Sequence, residues 1–277
     1  MRPEAALSND SSIPVKALVL LADRLADAAA RETLPRFRQS NLTADDKDQG
    51  PGFDPVTEAD RASESAMRSI LAAERPDDGI FGEEQARTHG TSGLTWVLDP
   101  IDGTRAYISG LPVWGTLIAL DDGTRGRIGV IDQPFTGERF MGVLGDDFTQ
   151  ATLTRAGEAQ DIRTRQGVGM DQATFFTTDP YLFEGDDHAR FRRLRDAAKL
   201  TRYGTDCYAY GLVALGVIDL VVETGLQAYD IAAHIPLIQA AGGVVTDWEG
   251  GDCRWGGPVI AAGSAELHAE AMDLIVG

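Results

Sequence analysis

The stretch Trp96-Val97-Leu98-Asp99-Pro100-Ile101-Asp102-Gly103-Thr104 decides how the rest of the chain is read. An apolar run stops at two carboxylates three residues apart. Pro100 fixes the backbone between them. Gly103 lets the chain turn and lets another group approach its amide. Thr104 adds a hydroxyl and, with Gly103, amides able to hold an anion. Carboxylates this close repel one another unless a cation lies between them. Hard cations such as Mg²⁺ suit such oxygen donors, taking few from protein and the rest from water and phosphate. Alone, an Asp-Gly pair would read as a polar turn.

Three further acidic segments change that reading. Gly82-Glu83-Glu84 follows the apolar Ile80-Phe81. Asp54-Pro55-Val56-Thr57-Glu58-Ala59-Asp60 opens a helix, and Tyr229-Asp230-Ile231-Ala232-Ala233 opens another. Asp54, Asp60 and Asp230 could also be helix caps.

Working outward, Val15 to Arg31 has apolar Ala17, Leu18, Leu21, Leu25 and Ala28 at helical spacing. Residues 41–53 read as a loop. Ala59 to Glu74 reads as a helix with Ala62, Ala66, Ile70 and Ala73 on its apolar face. Leu94–Leu98, Val113–Leu120, Arg127–Ile131 and Arg139–Val143 read as strands, the later ones antiparallel with tight turns. The second half alternates: strand Ala173–Thr177, helices His188–Ala198 and Asp206–Leu215, and strand Ile218–Glu223. Then come helix Asp230–Ala241, strand Val259–Ala262 and a helix from Ser264 to Ile275. Gly242-Gly243 stops the helix before it, and Pro236 inside that helix argues for a kink.

This order resembles the inositol monophosphatase superfamily of metal-dependent phosphatases. The resemblance spans about residues 54–243 and rests most on Asp99-Pro-Ile-Asp-Gly-Thr104. It implies a layered α-β-α-β-α sugar-phosphatase fold. The chain would be one catalytic domain over 1–277. Its antiparallel-rich first lobe would end near 148, with an α/β second lobe over 149–277. It implies two or three Mg²⁺ ions. Glu83, Asp99 and the Ile101 carbonyl would hold the first, and Asp99, Asp102 and Asp230 the second. Glu83 would border a third position. Gly103 and Thr104 would bind the phosphate through their amides, and Asp54 with Thr104 would orient the attacking water. Glu83, Asp54 and Thr104 are thus the expected catalytic residues. No covalent phosphoenzyme is needed.

The substrate must be read from residues beyond the metal. Asp102-Gly-Thr-Arg-Ala-Tyr-Ile-Ser-Gly-Leu-Pro112 and Gly204-Thr-Asp-Cys-Tyr-Ala-Tyr210 resemble the histidinol-phosphate phosphatase branch. Asp206 and Glu223 are the expected contacts to the organic part, although Glu223 is shared with the inositol branch. A carboxylate at 206 favours the ammonium of histidinol phosphate over a neutral polyol. Asp206 could also cap the helix near Cys207. The expected activity is histidinol-phosphate hydrolysis in histidine biosynthesis. Inositol monophosphatase or a broad sugar-phosphate phosphatase is the alternative. A non-catalytic regulatory relative would have lost acidic ligands, and none of those expected is missing.

Composition bounds the rest. There are 43 acidic and 25 basic residues, for a net charge of −18. That surface repels phosphate backbones, so nucleic acid is not an expected partner. The only two cysteines, Cys207 and Cys253, build no disulfide framework and read as buried small hydrophobes. No apolar run reaches the length of a membrane span. A cytoplasmic enzyme is expected, and a homodimer by resemblance alone. His234, one turn beyond Asp230, reads as packed rather than catalytic.

Overall fold

The computed structural model describes residues 15–40, 42–46 and 55–277. Helix α1 (Val15–Thr33) packs beside α2 (Glu58–Glu74), and a short ribbon of β1 (Ala44–Asp46) and β2 (Pro55–Thr57) precedes α2. Seven strands follow: β3 (Gly79–Gly82), β4 (Thr95–Asp102), β5 (Gly115–Asp121), β6 (Gly126–Gln133), β7 (Glu138–Leu144), β8 (Thr149–Arg155) and β9 (Glu158–Asp161). They lie in chain order in one sheet, β3 and β4 parallel and the rest an antiparallel meander. The short α3 (Thr104–Ile108) leaves the end of β4.

A second sheet contains β10 (Thr174–Thr177), β11 (Leu200–Tyr203), β12 (Leu220–Gln227), β13 (Val244–Thr246) and β14 (Gly256–Ala262), in the order β11-β10-β12-β14-β13. Its helices are α4 (Asp186–Ala197), α5 (Tyr208–Ala214), α6 (Ala228–Ile231), α7 (His234–Ala241) and α8 (Ala265–Val276).

Alternation along the strands assembles the layers. Trp96, Leu98, Ile118, Leu120, Ile128 and Val130 point toward α1 and α2. Their neighbours Val97, Leu117, Ala119 and Ile131 point the other way, into a core shared with α5, α6 and α7. That core also takes Val221, Val259 and Ala261 from the second sheet. Leu220, Val222, Ile260 and Ala262 face outward onto α4 and α8. The order is therefore helix, sheet, helix, sheet, helix, the layered α-β-α-β-α arrangement expected.

The middle layer is close to the first sheet because two strand glycines leave room for it. A Cβ on Gly129 would lie 1.9 Å from the Ala233 carbonyl oxygen. One on Gly142 would lie 2.2 Å from Leu237 Cα. Side chains at these positions would push α7 off the sheet.

Several sequence expectations need correction. The helix expected over Asp230–Ala241 is two helices broken at Ala232-Ala233. Pro236 has no N–H to give the Ala232 carbonyl, and its ring crowds that oxygen. Helix α5 starts at Tyr208 rather than Asp206. The buried stripe of α2 is Asp60, Ser63, Glu64, Met67 and Leu71, whereas Ala73 is exposed and Ala62, Ala66 and Ile70 are half-buried. Ala17 of α1 is exposed as well. Strands β3 and β13 are too short to declare themselves, and β8, β9 and β11 are too polar. Of the expected loop over 41–53, the described part includes strand β1.

Candidate active site

The site forms where β4 ends. Asp99 pairs in register with Leu117 and Asp102 with Gly115, so β4 holds one residue more than β5 over this step. In a regular strand, residues three apart face opposite sides. The bulge cancels that reversal and brings both aspartates to one side. Pro100, with no N–H, interrupts the ladder there, and its carbonyl instead accepts from Thr116 Oγ1 at 2.8 Å. The Ile101 amide donates to Asp99 Oδ1 at 3.0 Å. The Ile101 carbonyl accepts from Thr104 Oγ1 at 3.0 Å. Gly103, at φ 81°, turns the chain into α3, as only glycine does without strain.

Asp230 arrives from the second sheet on α6. Its Oδ2 accepts from the Gln227 amide at 2.6 Å, so it does cap its helix as well as reach the site. Carboxylate oxygens of Asp99, Asp102 and Asp230 lie within 4.8 Å of one another. Glu83 follows β3, which is parallel to β4, and its carboxyl meets that of Asp99. Tyr229 and Phe81 pack edge to face with centroids 6.1 Å apart, joining the Glu83 segment to the Asp230 helix.

Glu64 is a positioning residue that the sequence did not single out. Its carboxylate, fully buried on α2, accepts from the Glu84 amide at 2.7 Å and the Gln85 amide at 3.1 Å. Arg68 pairs with it at 2.7 Å. A Cβ on Gly82 would collide with it at 2.2 Å. Glu64 therefore fixes the loop that carries Glu83. The available signal was an acid one turn before an arginine, which reads as an ordinary solvated pair. Asp60 is a cap: its Oδ2 accepts from the Thr57 amide at 2.8 Å and from Thr57 Oγ1 at 2.6 Å. Asp54 lies outside the described residues.

The electrostatics are those of a cluster of like charges held close together. Burial raises the Asp99 carboxyl well above its usual range, and Glu83, Asp102 and Asp230 push it further. Burial, then Asp230 and Asp206, raise Asp102, opposed by its bond from the Cys207 amide at 2.7 Å. Such groups accept either protons or a cation. An all-oxygen set of three close carboxylates, with a backbone carbonyl beside it, fits a hard divalent ion. Cys207 is no nucleophile, since burial and Asp102 hold its thiol well above its ordinary range.

A cleft of about 350 Å³ opens beside the cluster, lined among others by Gly103, Thr104, Arg105, Asp206 and Glu223. Asp206 adopts φ 41° and makes no side-chain cap for α5. It lies against Gly103, where an added Cβ would sit 3.0 Å from its own. Burial raises its carboxyl to about 6, with Arg105 pulling the other way. Glu223 accepts from the Thr178 amide at 2.8 Å and Thr178 Oγ1 at 3.0 Å. Burial still pushes it to about 7.

That shift has a measurable sign. A carboxyl raised from 4.5 to about 7 by folding costs up to about 3 kcal/mol of stability once pH passes the upper value. The loss builds as pH climbs from about 4.5 to about 7, because the folded chain then binds more protons than the unfolded one. Glu223→Gln is expected to remove that part of the slope in denaturant titrations across this window. An unchanged slope would mean that Glu223 titrates normally.

The family profile described as the inositol monophosphatase family matches residues 16–276. The chain belongs to this family. Within the inositol monophosphatase family, the Bifunctional phosphatase IMPL2, chloroplastic, of Arabidopsis thaliana is 39% identical over 260 residues, covering 90% of this chain and 72% of that protein. A Histidinol-phosphatase of Streptomyces coelicolor is 35% identical, covering 92% of this chain and 95% of its own length. A solved structure of an inositol monophosphatase from Zymomonas mobilis superposes with TM-score 0.82 at 43% identity, over 96% of this chain and all of that one. A phosphomonoesterase of this family accounts for the fold and the acidic cluster together. No helix among the described residues is long and apolar enough to cross a membrane.

Proposed function

We propose that this protein is a Mg²⁺-dependent phosphatase whose substrate is histidinol phosphate. The observation that carries the substrate is Asp206, a carboxylate in the cleft beside the Gly103 turn. With a pKa near 6 it is largely ionised at neutral pH and can pair with an ammonium group. Glu223 adds a second acid in the same cleft. A polyol ester gains less from either. The Streptomyces relative bears the matching activity in its name.

In this reading Glu83, Asp99, the Ile101 carbonyl, Asp102 and Asp230 hold two or three Mg²⁺ ions. When bound, these ions neutralise phosphate oxygens and make water a better nucleophile. The amides of Gly103 and Thr104, at the start of α3 with no partners inside the helix, would hold the phosphate. Asp54 and the Thr104 hydroxyl orient the water. Asp206 and Glu223 fix the organic end, so the ester bond is presented in one orientation.

The inositol monophosphatase from Zymomonas mobilis, at 43% identity, supports inositol phosphate as a second reading. Phosphate release from histidinol phosphate and from inositol 1-phosphate, each with Mg²⁺, separates the two. A preference for the inositol ester would overturn the first. Asp206→Asn keeps the shape and the left-handed backbone that Asn tolerates. It is expected to raise KM for histidinol phosphate about 10- to 100-fold, the worth of a charge-assisted hydrogen bond, and to affect glycerol 2-phosphate far less. Equal losses on both esters would make Asp206 structural.

A further inference from the structure

Two stacked rings line the same cleft, and nothing in the proposed hydrolysis uses them. Tyr210 on α5 and His234 at the start of α7 have centroids 4.0 Å apart and planes 7° apart. They are 3% and 1% exposed, and both line the cleft that holds Asp102, Asp206 and Glu223. The Tyr210 hydroxyl and both ring nitrogens of His234 make no hydrogen bond with the described residues. Burial drives the imidazole pKa down to about 3, so the ring is neutral and offers one donor and one acceptor.

Buried polar atoms without partners are costly, and folded chains keep few of them. Three such atoms on two rings beside one cavity mark a place for the polar edge of a ligand. The remaining wall narrows the ligand's chemistry. Leu182 and Leu226 line the same cleft. A polyol, with hydroxyls on both faces, would press some of them against these leucines. A planar nitrogen heterocycle sets its apolar face on the leucines and turns its nitrogens to the polar rings.

We propose that the Tyr210–His234 stack is a specificity-determining wall that receives the edge of a nitrogen heterocycle carried by the organic part of the ester. The inference deepens the histidinol-phosphate reading and rests on it. Asp206 would hold the ammonium while Tyr210 and His234 hold the ring.

Tyr210→Phe tests it, because the stack survives and one oxygen is lost. His234→Leu is the second variant. KM and kcat are measured on histidinol phosphate, inositol 1-phosphate and glycerol 2-phosphate, the last having no ring. Binding of phosphate-free histidinol to the metal-free protein is measured by calorimetry. Each variant is expected to raise KM for histidinol phosphate about 5- to 10-fold, with kcat nearly constant, and to weaken histidinol by a similar factor. Glycerol 2-phosphate should change far less. Equal KM changes on all three esters, or none on any, would overturn the inference while leaving the phosphatase intact. A larger loss on inositol 1-phosphate would overturn it in favour of a polyol-binding wall. If the unaltered protein shows no preference for histidinol phosphate, the substrate reading fails and this inference fails with it.

Discussion

Asp99→Asn is expected to cut Mg²⁺-dependent phosphate release by about 10³-fold while raising the thermal midpoint of the metal-free protein. The two effects have one cause. Asp99 is 1% exposed and sits against the carboxyl of Glu83, with Asp102 and Asp230 beside it. Without a cation, these carboxylates repel one another, and Asp99 and Asp102 resist ionisation. Folding therefore raises the pKa of Asp99 and of Asp102, and the metal-free chain loses stability as pH climbs above the ordinary carboxylate range. A neutral amide at 99 relieves part of that penalty and also removes a cation donor. Mg²⁺ should raise the midpoint of the unaltered protein, more at pH 8 than at pH 5, by binding the folded state. In Asp99→Asn that response should shrink. Differential scanning calorimetry with and without Mg²⁺ reads both effects. A lower midpoint for the metal-free variant would show that the cluster is not strained by its own charge.

The second large effect belongs to a residue with no side chain. Gly142→Ala is expected to cost about 3 kcal/mol or more, the upper range for overpacking. The added methyl would lie 2.2 Å from Leu237 Cα and 2.5 Å from its nitrogen. Both are backbone atoms, so no rotamer change makes room. Helix α7 must lift, and α6, which ends three residues before it, carries Asp230. The variant should therefore also show a weaker Mg²⁺ response than its stability alone predicts. Urea unfolding gives the first number and calorimetry the second. A midpoint equal to that of the parent would mean that α7 is not seated as tightly as the structure has it.

The acidic constellation was legible in the sequence because its chemistry is local. Asp99, Asp102 and Gly103 fall in a single motif, and Glu83 and Asp230 each follow a recognisable change of texture. The layers were expected from the family resemblance, while the short apolar runs of β4 to β7, buried on both faces, showed only that strands follow one another there. Other features were hidden for physical reasons. The α2 face was misread because its buried stripe is partly polar: Asp60 and Glu64 are held by hydrogen bonds that hydropathy does not count. Glu64 looked like half of a surface pair, since nothing near it in sequence shows that residues 84 and 85 return to it. The break at Ala232-Ala233 was signalled by Pro236, but its position depended on which carbonyl the ring would crowd. The Tyr210–His234 stack joins two helices whose approach is set by the sheet glycines. No pattern within either helix announces it.

The extra residue in β4 has one more consequence. It frees the Ile101 oxygen from the strand pairing, and we propose that oxygen as a cation donor. A backbone donor survives any change of side chain: Ile101→Ala leaves the oxygen where it was. Side-chain scanning would therefore undercount the coordination sphere by one. Only a change in chain length between Asp99 and Asp102 would expose it, by restoring a regular strand and turning one aspartate away.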